Sequence, residues 1–301
     1  MDVEVVRMLS RYLDDCIRYH ASDSAHMKSF LQFLARLRGN IPIEKKLLVY
    51  GYRPEATEVR TVEEWERRQV HILKPEEMIH NPVTVDNEKK LYADRILYDI
   101  SATDGKPEPF MQFTVIGVFA EWILRYPPCP VVFMDEPKAG KGKAEYIPEK
   151  KVVEVTRGFV SEAEICHLML REYAHYFLHE KHLKEKVDQR YDRRKYGVEA
   201  FCVSYAVCLR FGVQAPKLEN IQPDSSLSPM DILKIFDRLD FAITEISRQI
   251  EHGPELRQEA EEKERKKKLE DEMKKKQEEL EKKKQEEVDE SLRPKPPKLD
   301  G

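Results

Sequence analysis

Residues 161–183, SEAEICHLMLREYAHYFLHEKHL, decide the fold of the C-terminal half of this chain. The stretch opens with Ser161 and places Glu164 three residues later, which is the pattern of a capping box at a helix N-terminus. Apolar side chains then recur at helical spacing, at Ile165, Leu168, Met169, Tyr173 and Phe177. The pattern predicts one long helix with an apolar face.

The composition limits the class of protein. The chain has 301 residues, of which 41% are hydrophobic and 36% are charged, and its net charge is -4. This apolar content predicts folded domains, and the balanced charge gives no global electrostatic footprint for nucleic acid. Five cysteines without a C-x-x-C pair are typical of reduced core thiols. No apolar run reaches the roughly 20 residues that span a bilayer, so we expect a cytoplasmic protein without a membrane segment.

Residues 1–104 carry a mixed pattern that predicts a small α+β domain. The predicted elements are two amphipathic helices within 3–38, a strand at 45–54, a short helix at 61–68 with Thr61 as its N-cap, and a strand running into a turn at 93–103.

Residues 105–254 carry mostly helical patterns, and the remainder of the chain is highly charged. The predicted elements are a helix at 113–126, a strand at 151–159, the helix opened by Ser161, and helices at 197–213 and 228–252. Residues 255–301 are predicted to form an exposed Lys/Glu-rich helix, a spacer or docking arm, followed by a disordered tail. The expected fold class is therefore α+β, with a mainly helical second domain.

The long helix also carries a damaged chemical motif. In the pattern H-E-x-x-H, two histidines four residues apart bind one Zn²⁺, and the glutamate between them activates the metal-bound water. Here Arg171 stands at the first histidine position, followed by Glu172 and His175. An arginine keeps its proton at neutral pH and cannot ligate zinc.

The segment resembles the ImmA/IrrE family and the peptidase-like half of ArdC-type antirestriction proteins, over about residues 110–250. In those relatives a glutamate on the next helix is the third ligand, in a run similar to A-E-S-V-A-Y. The matching run here is AFCVSY, which places Phe201 where a glutamate is expected. Glu199 lies about 200° away around the helix and could serve only in a shifted register. The resemblance implies a zincin-like fold with a degenerate metal site.

The residues leave other arrangements open. The Arg171 guanidinium could fill the vacated metal position and pair with Glu172. Alternatively, His175 and His179 share the four-residue spacing and could form a shifted site with a nearby side chain. The candidates for that third ligand are Glu180, His182 and His167. The loop AGKGKAEY at 139–146 lacks the spacing of a phosphate-binding loop and is predicted to be a basic connector.

The N-terminal half resembles the ArdC-type domain that its family uses to bind single-stranded DNA. The matching positions follow in order over about residues 28–103, at Leu47, Leu48, Pro54, Ala56, Thr57, Trp65, Ile79, Asp99, Ser101 and Thr103. A basic, glycine-rich turn of the relatives is replaced here by residues 73–79, which include an acid, Glu77.

Single strands are held by aromatic faces combined with cations, which gives a set of candidate contacts. That set is Tyr52, Arg53, Arg60, Trp65, Arg68 and Lys74. The alternative is that Trp65 and the tyrosines belong to the core and the arginines are solvated.

The two resemblances together imply a binding or regulatory protein of a mobile element, of antirestriction type. The damaged motif implies that its metallopeptidase-like domain is inactive. Glu172 would be an idle general base, with His175 and Glu199 the remaining candidate ligands. No cofactor is expected, or zinc if the site is intact. Expected partners are single-stranded DNA and an element-encoded or host protein that contacts the C-terminal helix. The alternatives are an active zinc peptidase that cleaves a repressor-like protein, and a protein-interaction scaffold without DNA binding.

Overall fold

The computed structural model describes residues 3–39, 41–86, 91–135, 143–158, 161–185, 190–224 and 226–291. Part of the predicted basic loop, 139–142, and most of the predicted tail, 292–301, lie outside these ranges. The chain divides into two compact units, Met1–Glu251 and His252–Gly301. The predicted boundaries at residues 104 and 254 stay predictions.

The elements of the first unit confirm a mainly helical α+β fold. Its helices are α1 (Val3–Ala21), α2 (Ser24–Arg36), α3 (Ile43–Tyr52), α4 (Val62–Arg67), α5 (Ile116–Arg125), α6 (Glu162–Lys184), α7 (Gly197–Arg210) and α8 (Pro229–Glu251). Its strands are β1 (Val59–Thr61), β2 (Pro82–Asp86), β3 (Leu91–Asp94), β4 (Leu97–Asp99), β5 (Val131–Met134), β6 (Ala144–Ile147) and β7 (Val152–Thr156).

The two amphipathic helices predicted within 3–38 are confirmed as α1 and α2. Asp23 caps α2 by accepting a hydrogen bond from the backbone N–H of His26 at 2.8 Å. The predicted short helix is α4, and its Thr61 and Glu64 form a complete capping box. The predicted strand-to-turn at 93–103 is confirmed in β4, which runs into a short 3-10 helix.

The strand predicted at 45–54 was wrong, because α3 occupies this segment. The run Leu-Leu-Val-Tyr is apolar on successive residues, as in a strand, but it is short enough to fit either structure. As a helix it buries Ile43, Leu47 and Val49 in the main core. Packing against the core thus overrides the local strand preference.

A small mixed sheet lies between α5 and α6 in the chain order. β7 is its central strand, paired in parallel with β5 and antiparallel with β6. β7 was predicted, whereas β5 and β6 were not, because the prolines, glycines and lysines around them dominate that stretch. Separate two-stranded pairs join β1 with β4 and β2 with β3.

The main core is built by α6, α7 and α8 with the N-terminal helices. Its fully buried side chains include Phe30 and Phe33 of α2, Tyr173 of α6 and Phe236 of α8. All five cysteines are free and buried, as predicted. Ser228 caps α8 by accepting from the N–H of Asp231 at 3.2 Å.

The second unit contains α9 (Gly253–Ser291), 39 residues long. This confirms the charged C-terminal helix, and Arg257 and Glu261 form one of the expected ion pairs at four-residue spacing. In the described ranges, no helix is both long and apolar enough to cross a membrane.

Candidate functional site

Glu172 lies on α6 with no exposed surface and is surrounded by hydrogen-bond donors. The guanidinium of Arg193 donates to both carboxylate oxygens, at 2.5 and 2.6 Å. The Arg171 Nε lies 3.3 Å from Oε1, so the predicted Arg171–Glu172 contact is present, although Arg193 makes the shorter contacts. Two guanidiniums therefore neutralise this buried carboxylate, and that of Arg193 is hydrogen-bonded to both of its oxygens.

The backbone of β6 supplies a further donor to Glu172. The N–H of Tyr146 donates to Oε2 at 2.9 Å. In an antiparallel pair every second residue turns its backbone groups away from the neighbouring strand. Tyr146 is such a residue, and its outward N–H reaches the carboxylate on α6. Through this hydrogen bond Glu172 links α6 to the three-stranded sheet.

Three histidines on α6 each pair with a tyrosine hydroxyl. His175 Nδ1 lies 2.8 Å from the hydroxyl of Tyr191, and His179 Nδ1 lies 2.8 Å from that of Tyr146. His182 Nδ1 lies 3.0 Å from the hydroxyl of Tyr196. All three histidines are buried. The ring nitrogens that face these hydroxyls are therefore engaged within the protein.

The surroundings of His175 keep its imidazole neutral. Burial lowers its pKa to about 3, and the charges of Arg193 and Arg171 act in the same direction. Burial also raises the pKa of Tyr191 well above its ordinary value, so the phenol keeps its proton. The His175–Tyr191 contact is thus a hydrogen bond between two uncharged groups at neutral pH.

The predicted third-ligand positions on α7 lie in a different environment. Both carboxylate oxygens of Glu199 accept from Arg238 on α8, at 2.7 and 2.9 Å. Burial raises the pKa of Glu199, and the contact with Arg238 opposes that rise. Phe201 is partly buried. His167 of the shifted-site alternative contacts the carbonyl of Gln214 at 2.8 Å.

The candidate DNA-contacting aromatics are placed differently from each other. Trp65 is only 1% exposed and packs with Tyr98 and Ile100 in a small second core. Its indole N–H donates to the carbonyl of Tyr98 at 3.1 Å. Tyr52 is 44% exposed, at the end of α3. Only Tyr52 of this pair presents an accessible ring.

The candidate cations are held by two glutamates. Arg60 and Arg68 both contact the buried carboxylate of Glu58, at 2.8 and 2.5 Å. Glu77, one of the two acids in the segment that departs from the relatives, forms ion pairs with Arg53 at 2.8 Å and with Lys74 at 3.3 Å. These four positive charges are thus partly neutralised by acids of the same region.

Comparisons with known proteins give a limited likeness. No family model matches the chain, and no curated protein matches it. Similar solved structures are those of the antirestriction protein ArdC from the R388 plasmid. The Mn(II)-bound structure has a TM-score of 0.37 and 18% identity, over 70% of this chain and 81% of the ArdC chain. The metal-free structure has a TM-score of 0.38 and 14% identity, over 71% and 85%. At these values the likeness supports no inference about function.

Arg193 is one of the residues of this site that the sequence did not indicate. It lies in the charged connector between α6 and α7, where several arginines follow one another and none has a distinctive spacing. Tyr191 lies in the same connector and was also not predicted, since no motif singles it out. Within the described ranges, no group of three or more His, Cys, Asp or Glu side chains is arranged to hold a metal ion.

Proposed function

We propose that this chain is a non-catalytic binding protein in which a peptidase-shaped region has lost hydrolysis. In this proposal it is an ArdC-like protein of a mobile element, with an antirestriction-type or regulatory role and a zincin-like region of the ImmA/IrrE type. The observation that supports the loss of catalysis is that Arg193 donates hydrogen bonds to both carboxylate oxygens of Glu172.

A glutamate that acts as general base needs a free oxygen within hydrogen-bond reach of the attacking water. Both oxygens of Glu172 are bonded to Arg193, and each has a further neighbour, in Arg171 or in the N–H of Tyr146. The side chain also has no exposed surface. Releasing it from Arg193 would leave the fully buried carboxylate without its main charged partner, which is costly.

The residues present do not fit a zinc ion at the motif. Arg171 cannot ligate, and Glu199 already accepts two hydrogen bonds from Arg238. His175 is the one motif histidine, and the two guanidiniums that act on it would repel a divalent cation. No hydrolytic step is therefore assigned to the site.

Single-stranded DNA is the partner that the resemblance of the N-terminal half implies. Tyr52 offers an exposed ring for base stacking. The cations expected to contact phosphate are paired with Glu58 and Glu77, so DNA would have to displace an acid at each contact. We therefore expect weak, strongly salt-dependent binding.

We also propose that α9 serves as a spacer or as an arm that docks on a partner protein.

Metal content tests the loss of catalysis. Protein purified without an affinity tag is expected to hold less than about a tenth of an equivalent of zinc, because the ligand set is incomplete. The variant Arg171→His restores the first ligand but leaves Arg193 on Glu172, so it is expected to remain without bound zinc and without peptidase activity. Arg194→His, a nearby exposed arginine, is the matched control for an added histidine.

One outcome would overturn the proposal. Near-stoichiometric zinc in the natural chain, or in Arg171→His alone, together with proteolysis that is lost on Glu172→Gln, would make the chain an active peptidase.

A further inference from the structure

A cavity lined by tyrosines lies between α1 and α3, away from the Glu172 site. Its volume is about 530 Å³, within the range of ligand pockets in proteins. Tyr12 and Tyr19 of α1 and Tyr50 of α3 line it. Tyr12 is 37% exposed and Tyr19 is 54% exposed, so their rings remain accessible to a ligand.

The rings of this tyrosine pocket meet at steep angles around His20. The His20 ring centroid lies 5.1 Å from that of Tyr19 and 4.6 Å from that of Tyr50, with interplanar angles of 81° and 80°. His20 is 3% exposed, and its Nδ1 has no hydrogen-bond partner among the described residues. Burial lowers the pKa of His20 to about 4, so this wall is uncharged at neutral pH.

The charge around the tyrosine pocket favours a cation. Asp15 lines it and is exposed, and none of the described lining residues is a lysine or arginine. One cation, Arg36, lies at the edge of the pocket, where its guanidinium donates a hydrogen bond to the carbonyl of the lining residue Pro54. Its charge opposes the rise that burial causes in the pKa of Tyr50. Several aromatic rings with one carboxylate and no cation in the wall form an environment that attracts positive charge.

Gly51 allows Tyr12 to lie where it does. A Cβ atom at position 51 would overlap the Tyr12 hydroxyl. The absence of a side chain on α3 therefore lets the ring of α1 approach the helix backbone and close one side of the pocket. A methyl group at this position would push Tyr12 aside without changing the charge of the site.

We propose that the tyrosine pocket binds the guanidinium of an arginine side chain presented by a partner protein. A planar guanidinium stacks on aromatic faces and donates several N–H groups, which Asp15 and the tyrosine hydroxyls can accept. The inference is independent of the proposed loss of catalysis, because it uses no residue of the Glu172 site.

The test uses the full chain and N-acetyl-arginine methylamide as the probe, with the tyrosine ring signals followed by NMR. Saturable shifts of the Tyr12, Tyr19 and Tyr50 rings are expected. The uncharged isostere N-acetyl-citrulline methylamide is the matched ligand control and is expected to give none. Free arginine, which carries its own α-carboxylate, is expected to bind more weakly than the blocked form if the source is a peptide.

Variants locate the binding. Gly51→Ala and Asp15→Asn are each expected to weaken arginine binding about two- to fivefold, the effect of one exposed cation contact. Asp14→Asn, the neighbouring exposed acid that does not line the pocket, is expected to change nothing. Circular dichroism checks that each variant is folded.

The proposal fails if arginine and citrulline probes shift the rings equally, or if Gly51→Ala and Asp15→Asn bind as the natural chain does. It also fails if a thymidine oligonucleotide shifts these rings and the arginine probe does not, because the pocket would then stack bases.

Discussion

The guanidinium of Arg193 holds both carboxylate oxygens of Glu172, although the two residues are 21 positions apart in the chain. Glu172 belongs to α6, whereas Arg193 belongs to the connector that leads to α7. The pair therefore holds the described part of that connector, residues 190–196, against α6. The acid that the sequence motif marks for chemistry has a structural role in this fold.

Removing Arg193 should destabilise the fold more than its partial exposure suggests. In Arg193→Met the buried carboxylate of Glu172 keeps only its weaker contacts. We expect the free energy of unfolding to fall by about 2–4 kcal/mol, measured by urea denaturation.

Arg194→Met is the matched control for this change. Arg194 is exposed, and its substitution should cost less than about 0.5 kcal/mol. Equal effects of the two substitutions would show that the Glu172–Arg193 pair contributes nothing specific. The double variant Glu172→Gln with Arg193→Met should be more stable than Arg193→Met alone, because no buried charge remains unpaired.

The buried histidines predict acid sensitivity. The pKa of His20 is lowered from 6.5 to about 4 and that of His175 to about 3, in both cases chiefly by burial. Between pH 6.5 and 4 the unfolded chain therefore binds more protons than the folded chain. Stability should fall as the pH drops through this window, by about 1.4 kcal/mol per pH unit for each histidine.

His20→Phe tests this linkage, because His20 Nδ1 has no hydrogen-bond partner among the described residues. The stability that the natural chain loses between pH 7.5 and 5 should exceed that of the variant by about 2 kcal/mol. Parallel pH profiles for the two proteins would contradict the neutral, buried state of His20.

The hydroxyl of Tyr191 should contribute through His175. Tyr191→Phe leaves a buried imidazole nitrogen without this partner, at a cost of about 1–3 kcal/mol in thermal or urea unfolding. Tyr176→Phe is the control, since it deletes a hydroxyl on α6 that has no hydrogen-bond partner in the described part of the chain. A cost for Tyr176→Phe as large as that for Tyr191→Phe would argue against a specific His175–Tyr191 bond.

Glu77 should limit binding to single-stranded DNA. In Glu77→Gln the side chains of Arg53 and Lys74 lose their shared acid and become available to phosphate. We expect tighter binding to a thymidine oligonucleotide and a steeper salt dependence, by about 0.7 in the logarithmic slope for each additional phosphate that is neutralised. Glu76→Gln is the neighbouring control. Unchanged affinity and slope in Glu77→Gln would remove these two cations from the proposed interface.

Most helices of the fold could be predicted from local sequence patterns. Ser161 does cap α6, accepting from the N–H of Glu164 at 3.1 Å. The sequence did not indicate the contact between the Glu164 side chain and Lys143, which precedes β6. Similarly, Leu47 and Leu48 favoured a strand locally, and only contact with the core decides for a helix.

The residues of the candidate site that lie on α6 could be predicted from the sequence, whereas those outside this helix could not. Arg171, Glu172 and His175 were identified by their spacing on α6. Nothing in the sequence distinguishes Arg193 from Arg190 or Arg194, since the choice depends on where residues 190–196 lie against α6. A long-range contact of this kind leaves no periodic trace in the sequence.

The hydrogen bond from the Tyr146 N–H to Glu172 has a consequence for self-association. β6 is an outer strand of its sheet in the described part of the chain, and an outer strand with free N–H groups can recruit a strand from another molecule. The carboxylate on α6 occupies one of those donors before any neighbour can. We therefore expect the loss of Glu172 to be seen first as reduced solubility of the protein.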